Sequence, residues 1–336
     1  MFIAAQTRKL NIVIVSPALA SANNGNWQTA KRYANMLSKN FSVRILQEWD
    51  GAQTDDVLVA LHARRSYSSI EAWHGARGSK GLVVVLTGTD LYRDIKQDPQ
   101  AQQSLQWAAR LVVLQGAGVA ELSTKLRDKA QVLFQSTTTR QTLPKTNRRL
   151  RAVMVGHLRS EKSPQTFFEA AAVLATHNDI DLHHIGGEHD LALAQQAQQT
   201  ASQYPNYQFL GARSHEQTRR YIQRSHVLVH ASVMEGGAHV IMEAVCSGVP
   251  VLASRIAGNI GMLGEDYAGF FTVGDANELA NLLLKCRNEP AFVEQLQGQC
   301  AARAPLFEPA HERDGLITIV QNLLPQESSW LPMNLV

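Results

Sequence analysis

The chain has 336 residues, 45% of them hydrophobic and 18% charged, with a formal net charge of +3. That length supports two domains of ~150 residues, each with its own core, and the composition leaves no room for a long disordered tail. So small a net charge gives no ground for nucleic acid or membrane binding, although it permits a locally basic cleft for phosphates.

From the N-terminus, Arg8-Lys9 and the apolar stretch 10–20 imitate a signal peptide. The run is β-branched, ends at Pro17 and leads into a glycine loop, so it reads as a first strand instead. No run approaches the ~18 apolar residues of a membrane span. Strand-like runs recur at 10–15, 43–46, 57–61, 82–86, 111–114 and 132–134, and helical stretches separate most of them. One such helix, 27–38, carries Trp27, Ala30, Ala34 and Leu37 on one face. This alternation predicts a parallel, doubly wound sheet.

The loop Asn23-Asn24-Gly25-Asn26-Trp27 follows the first strand and opens a helix, which makes an anion-tolerant edge. It lacks G-x-G-x-x-G, so no dinucleotide is expected. His62, Arg64 and Arg65 end the third strand, and Thr89, Asp90 and Arg93 end the fourth, so both groups reach the same carboxyl edge. Four basic groups gathered there suit an anionic acceptor such as a phosphate-bearing nucleophile. The plainer alternative is that two of the arginines are structural partners of Asp90 and Asp94.

The polar segment 137–149 reads as a linker. A second series of strands follows at 152–155, 181–185, 208–210, 227–229, 251–253 and 270–273. Helices alternate with them at 165–175, 191–203, 216–223, 238–247 and 278–286. The expected domains are therefore 1–140 and 151–310, and the tail 311–336, apolar at Leu316, Ile317, Val320 and Leu323, reads as a final helix, which in folds that resemble this one crosses back to the first domain, where Trp330 would dock. Asp179-Ile180-Asp181 precedes a strand and reads as a turn. His183 and His184 are neighbours on that strand and point to opposite faces, so they cannot share an ion, and no metal is expected. Cys246, Cys286 and Cys300 lack ligand spacing and fit a reducing, cytoplasmic setting.

The stretch 227–254 organises the second half: a strand ending His230-Ala231-Ser232, the turn glycines Gly236 and Gly237, a helix, a stop at Gly248 and Pro250, and another strand. Amides at such a helix start favour a phosphate, here those of Gly236, Gly237, Ala238, His239 and Val240. Glu235 and Glu243 flank the spot and would repel a phosphate, so hydroxyl-rich chemistry must lie beside it. A nucleotide sugar satisfies both demands, with paired hydroxyls on the sugar and on the ribose. Two solvated glutamates on an ordinary βαβ unit is the alternative. His239 could add a protonated contact or contribute only its amide.

This E-x7-E spacing, with the Ser-Gly-Val-Pro-Val after the helix and Ala257-Gly258-Asn259, resembles the donor signature of the retaining GT-B glycosyltransferases. The resemblance implies two facing Rossmann-like domains around a cleft: an N-terminal acceptor domain and a C-terminal nucleotide-sugar donor domain. In that family an arginine and a lysine five residues later hold the donor diphosphate. Lys162 matches the lysine, His157 stands at the arginine position, and Arg159 with Lys162 is the expected clamp. The strings NNGNWQTAKRYA, LHARRS, LTGTDLYRDI and GHLRSEKSP, with Gln115 and Gln135-Ser136, carry a narrower resemblance to the SenB family of selenosugar synthases in selenoneine biosynthesis. It spans residue 11 to about residue 324 and implies a UDP-sugar donor, UDP-N-acetylglucosamine or UDP-glucose, with selenophosphate as nucleophile.

On this reading Glu235, Arg159 and Lys162 are catalytic, Glu243 holds the ribose, and the uracil stacks near Gly211 and Arg213. The Gly25–Asn26 loop closes over the donor. His62, Arg64, Thr89, Asp90 and Arg93 hold the acceptor, and an already anionic nucleophile needs no strong general base. No cofactor is required. The partners are small molecules, with a downstream enzyme of selenium metabolism as a further candidate. A transferase using a carbohydrate acceptor, a nucleotide-sugar epimerase and a silent nucleotide-sugar binder are the rivals.

Overall fold

The computed structural model describes residues 8–19 and 25–323; Asn23, Asn24 and Trp330 lie outside them. The apolar runs form two six-stranded sheets, parallel throughout. In the first, β1 (Asn11–Val15), β2 (Ser42–Leu46), β3 (Val57–Leu61), β4 (Leu82–Leu86), β5 (Arg110–Val113) and β6 (Ala130–Val132) are ordered β2-β1-β3-β4-β5-β6. In the second, β7 (Leu150–Val155), β8 (Ile180–Ile185), β9 (Tyr207–Phe209), β10 (Val227–His230), β11 (Val251–Ser254) and β12 (Phe270–Phe271) are ordered β12-β11-β10-β7-β8-β9. This is the expected α/β architecture of two doubly wound parallel sheets.

Why the first sheet forms is visible in its side-chain alternation. Val13, Val15, Leu58, Ala60, Val84 and Leu86 face one core with Trp73, from the helix Tyr67–Arg77. Ile12, Ile14, Val57, Val59, Val83 and Val85 face the other, with Tyr33 from the helix Gly25–Leu37 and Leu316, Ile319 and Val320 from the helix Pro309–Gln321. A parallel sheet covered on both faces needs apolar residues at every position, and β3 and β4 are buried along their whole length. Each fully buried Val or Leu contributes roughly 1.5–3 kcal/mol. The second sheet has its own core, built around Phe167, Tyr207, Leu228, Leu252 and Phe271.

Two compact units result. One comprises 1–114, 119–133 and 313–336, the other 115–118 and 134–312. The polar segment 137–149 is bonded into the second unit rather than hanging free. The Thr137 amide donates to the Phe307 carbonyl at 3.0 Å, the Arg140 amide to the Cys246 carbonyl at 2.9 Å, and the Gln223 side chain to the Gln141 carbonyl at 2.6 Å. Strand order reverses between β1 and β3 and again between β7 and β10. Crevices beyond the carboxyl ends of the strands open at such reversals, and ligands of α/β sheets bind there.

Candidate donor and acceptor sites

At the β7–β10 reversal the sequence places two loops side by side. Lys162, in a tight turn at Ser160–Lys162, reaches across to Glu235 and donates to its Oε1. Ser232 Oγ donates to the same oxygen at 2.8 Å, and His230 Nε2 lies 3.4 Å from it. The Val233 amide donates to the Glu161 carbonyl at 2.9 Å and ties the loops together. Burial opposes charge on Glu235, but Lys162 and His230 outweigh it and hold the carboxyl far below the usual range. His230 is itself buried, which lowers its pKa against the pull of Glu235. Lys162 and Glu235, expected to serve phosphate and sugar separately, are thus partners of one another.

Behind this pair the helix Ala257–Leu263 comes close enough that a Cβ on Gly258 would sit 2.1 Å from the Glu235 carbonyl oxygen. Asn259, fully buried, donates to Ser254 O at 2.9 Å, and Ser254 Oγ donates to Ser232 O at 2.5 Å. The Ala-Gly-Asn string therefore supports Glu235 from behind.

The loop after β7 is clamped just as tightly. A Cβ on Gly186 would fall 1.9 Å from the Gly156 carbonyl oxygen. That same oxygen accepts from His184 Nε2 at 3.1 Å, which leaves Nδ1 to accept from the Tyr207 hydroxyl at 3.1 Å. Burial pushes His184 down to about 4, against the Gly156 hydrogen bond, so the ring is neutral at physiological pH. His157, at the position where the resemblance places an arginine, accepts the Gly187 amide on Nδ1 at 2.9 Å and keeps its proton on Nε2. Burial, then His189, Arg159 and Lys162, lower its pKa. His157 is therefore a neutral donor. Arg159 is exposed and lies 3.4 Å from His189 Nδ1.

On the other flank, the helix His239–Val245 carries Glu243 into the interior, where it is 5% exposed. Its Oε1 accepts from His215 Nε2 at 2.6 Å, and Arg219 Nη1 lies 3.9 Å away. The hydrogen bond to Glu243 raises the His215 pKa against burial. Arg219 is itself buried and donates to Thr137 Oγ1 at 2.7 Å and to the Thr138 carbonyl at 2.9 Å. Of the amides expected to grip phosphate, that of Ala238 is turned to Met262 Sδ at 3.1 Å, which removes it from the set. Gly236 and Gly237 fill the turn, and His239 and Val240 open the helix. Gly211, at φ 69° after β9, accepts the Gly186 amide at 3.2 Å, with Arg213 exposed beside it.

Sequence reasoning missed His230, His215 and Arg219. The only available signal was weak: a buried-strand run ending in a polar ring, and a Ser214–Gln217 capping box that starts a helix at His215.

In the first unit, Gly25 and Asn26 open the helix Gly25–Leu37. His62 is buried at φ 75°, a conformation that side-chain-bearing residues rarely adopt. Its Nε2 lies 3.0 Å from Thr89 Oγ1, and the Arg65 amide lies 3.3 Å from Nδ1. Asp90 is also buried. Its Oδ1 accepts the Thr87 and Gly88 amides and its Oδ2 the Ala63 amide, all at 2.9 Å, so it clasps two loops and has no edge to offer an acceptor. Arg64 and Arg93 stay about half exposed. Arg93 Nε pairs with Asp94 at 2.9 Å and Arg64 Nε with Asp98 at 2.8 Å, so Asp98 rather than Asp90 is the second arginine's partner. A cavity of about 280 Å³ lies against Arg64, Arg93, Asp94, Gln97, Asp98 and Pro99.

Among the described residues no group of three or more His, Cys, Asp or Glu could hold a metal ion, and no helix is long and apolar enough to cross a membrane. The three cysteines are buried and unbridged.

Solved structures of glycosyltransferases share this fold over nearly the whole chain. The sucrose-phosphate synthase of Thermosynechococcus elongatus superposes with a TM-score of 0.73 at 16% identity, covering 94% of this chain and 99% of that one. Anabaena HepE in complex with UDP and glucose gives 0.70 at 15%, covering 93% and 100%. A trehalose-6-phosphate structure from E. coli bound with UDP-2-fluoro glucose gives 0.72 at 11%, covering 94% and 100%. At these identities the likeness establishes the two-domain GT-B fold. No curated protein matches the sequence. The family model for glycosyl transferases group 1 matches residues 135–303, half of the chain and the loops around the β7–β10 reversal, and the chain belongs to that family.

Proposed function

We propose that this glycosyltransferase moves a hexosyl unit, N-acetylglucosamine or glucose, from a UDP-sugar to selenophosphate and so makes a 1-selenosugar for selenoneine biosynthesis. One observation carries the donor half: two carboxylates, Glu235 and Glu243, stand on either flank of a twin-glycine turn at the strand reversal, with Lys162 on the nearer one. The diphosphate takes Lys162 and Arg159 together with the Gly236 and Gly237 amides. Glu243 accepts from the ribose in place of His215, and Glu235 accepts from a sugar hydroxyl. Lys162, drawn from Glu235 toward the diphosphate, stabilises the departing UDP.

Selenium forms the new bond to the anomeric carbon with its own electron pair while the bond from that carbon to the UDP oxygen breaks and its electrons leave with UDP. Water then cleaves the phosphorus–selenium bond, releasing phosphate and the selenol. The anionic nucleophile needs no base to remove a proton before attack. The acceptor half rests on the first-domain strings that resemble selenosugar synthases and on the Arg64 and Arg93 face; His62, behind Thr89, positions that face.

A carbohydrate acceptor is the second reading. The observation favouring it is that Asp98 and Asp94 already pair with both arginines, which leaves the patch without net charge. Mass spectrometry of products from a panel of UDP-sugars, each with and without selenophosphate, separates the two. A sugar in which selenium replaces the anomeric oxygen of the donor hexose is the expected product, read from its mass and selenium isotope pattern; its absence with every donor removes the selenophosphate assignment and leaves the family membership standing.

A further inference from the structure

The Arg64–Arg93 cavity has a property that its arginines alone do not confer. Each guanidinium is fixed through Nε, to Asp98 Oδ2 in one case and Asp94 Oδ1 in the other. Their terminal amino groups have no hydrogen-bond partner among the described residues, and both arginines line one cavity of about 280 Å³. Two such edges form a receptor for an oxyanion. The wall also holds two carboxylates, one of them the buried Asp94, whose Oδ2 lies 3.8 Å from His62 Nε2. A carboxylate can only accept a hydrogen bond, so an oxyanion without protons meets it lone pair against lone pair. An oxyanion that keeps a hydroxyl can donate to it.

We infer that this cavity selects tetrahedral oxyanions that retain a hydroxyl at neutral pH, the phosphoryl class, and rejects sulfate of nearly the same size and shape. The inference deepens the proposed acceptor role and rests on it only for the part the cavity plays in transfer. Specificity of this kind is a difference of two affinities, in which the repulsive element matters as much as the attractive one.

The test is calorimetric titration of the full chain with inorganic phosphate and with sulfate, at matched ionic strength and without nucleotide. Phosphate is expected to bind at least about tenfold more tightly than sulfate, the scale of one unsatisfied polar contact. Asp98 also accepts the Ala101 amide on Oδ1 at 2.9 Å as the cap of the helix Pro99–Trp107. Asparagine caps equally well, so Asp98→Asn should keep the fold while exchanging an acceptor for a donor, and the preference should fall to about threefold or less. A melting curve checks the variant, and if it is unfolded Asp94→Asn is read by the same criterion. Equal affinity for the two anions, no binding of either, or an unchanged preference in the folded variant each overturns the inference. Phosphate selectivity without any transfer to selenophosphate overturns only the acceptor assignment.

Discussion

Glu235 offers its two oxygens to different tasks. Lys162, Ser232 and His230 all gather on Oε1, while Oε2 has no partner among the described residues. A carboxylate held this way presents one fixed acceptor and stays charged despite its burial. Glu235→Gln keeps the shape and removes the charge, so turnover of the donor should fall about 100-fold, with UDP affinity changing less than about threefold. Steady-state kinetics beside UDP titration reads both, and a loss confined to UDP affinity would contradict the assigned role. His215 makes a second residue-level prediction. Its folded pKa is raised by Glu243, so the contribution of the pair is complete below the unfolded value and is lost as pH rises through the folded one. The melting-temperature gap between the wild type and His215→Ala should therefore be larger near pH ~6 than near pH ~9. The His215 ring is mostly exposed, which keeps the effect small. A gap that widens toward high pH would exclude the pairing.

At the scale of elements, the strands were legible because parallel, doubly covered sheets leave no polar positions, and the runs 57–61 and 82–86 coincide with β3 and β4. The helix Leu191–Gln203 was equally plain from its periodicity. The site was legible in part. Glycines and glutamates at fixed spacing lie on one βαβ unit, but Lys162 and Glu235 are 73 residues apart and nothing local announces that they meet. The same holds for His215 and Glu243, because capping chemistry decides where the helix His215–Arg224 starts and tertiary packing decides what its first side chain touches. Two helical glycines test how elements support the site. Alanine at Gly258 must displace the Glu235 backbone, so Gly258→Ala should cost about 1–3 kcal/mol and lower turnover. Gly298, in the helix Pro290–Arg303, has open space at its Cβ position, and Gly298→Ala should instead stabilise by about 0.5–1 kcal/mol. Denaturant unfolding of both variants checks the pair, and equal effects would mean that the close approach at Gly258 does not matter.

For the whole molecule, the family model and the compact units divide the chain at nearly the same place. The model matches 135–303, and the second unit holds 134–312. A physical reason is at hand: every donor of this kind presents the same chemistry, a base, a ribose and a diphosphate, whereas acceptors differ. Hydrogen exchange can read this division. A ligand that binds only the folded state at about 100 times its Kd adds roughly 2.7 kcal/mol, equivalent to about 100-fold slower exchange of amides that open with the unit it occupies. With UDP alone, that slowing is expected in Leu150–Val155, Val227–His230 and the loop through Gly237. Glu243→Ala should weaken it at the same UDP concentration, because the ribose loses its acceptor. Slowing confined to Asn11–Val15 and Val57–Leu61 would move the nucleotide to the first sheet and exchange the donor and acceptor roles of the two crevices.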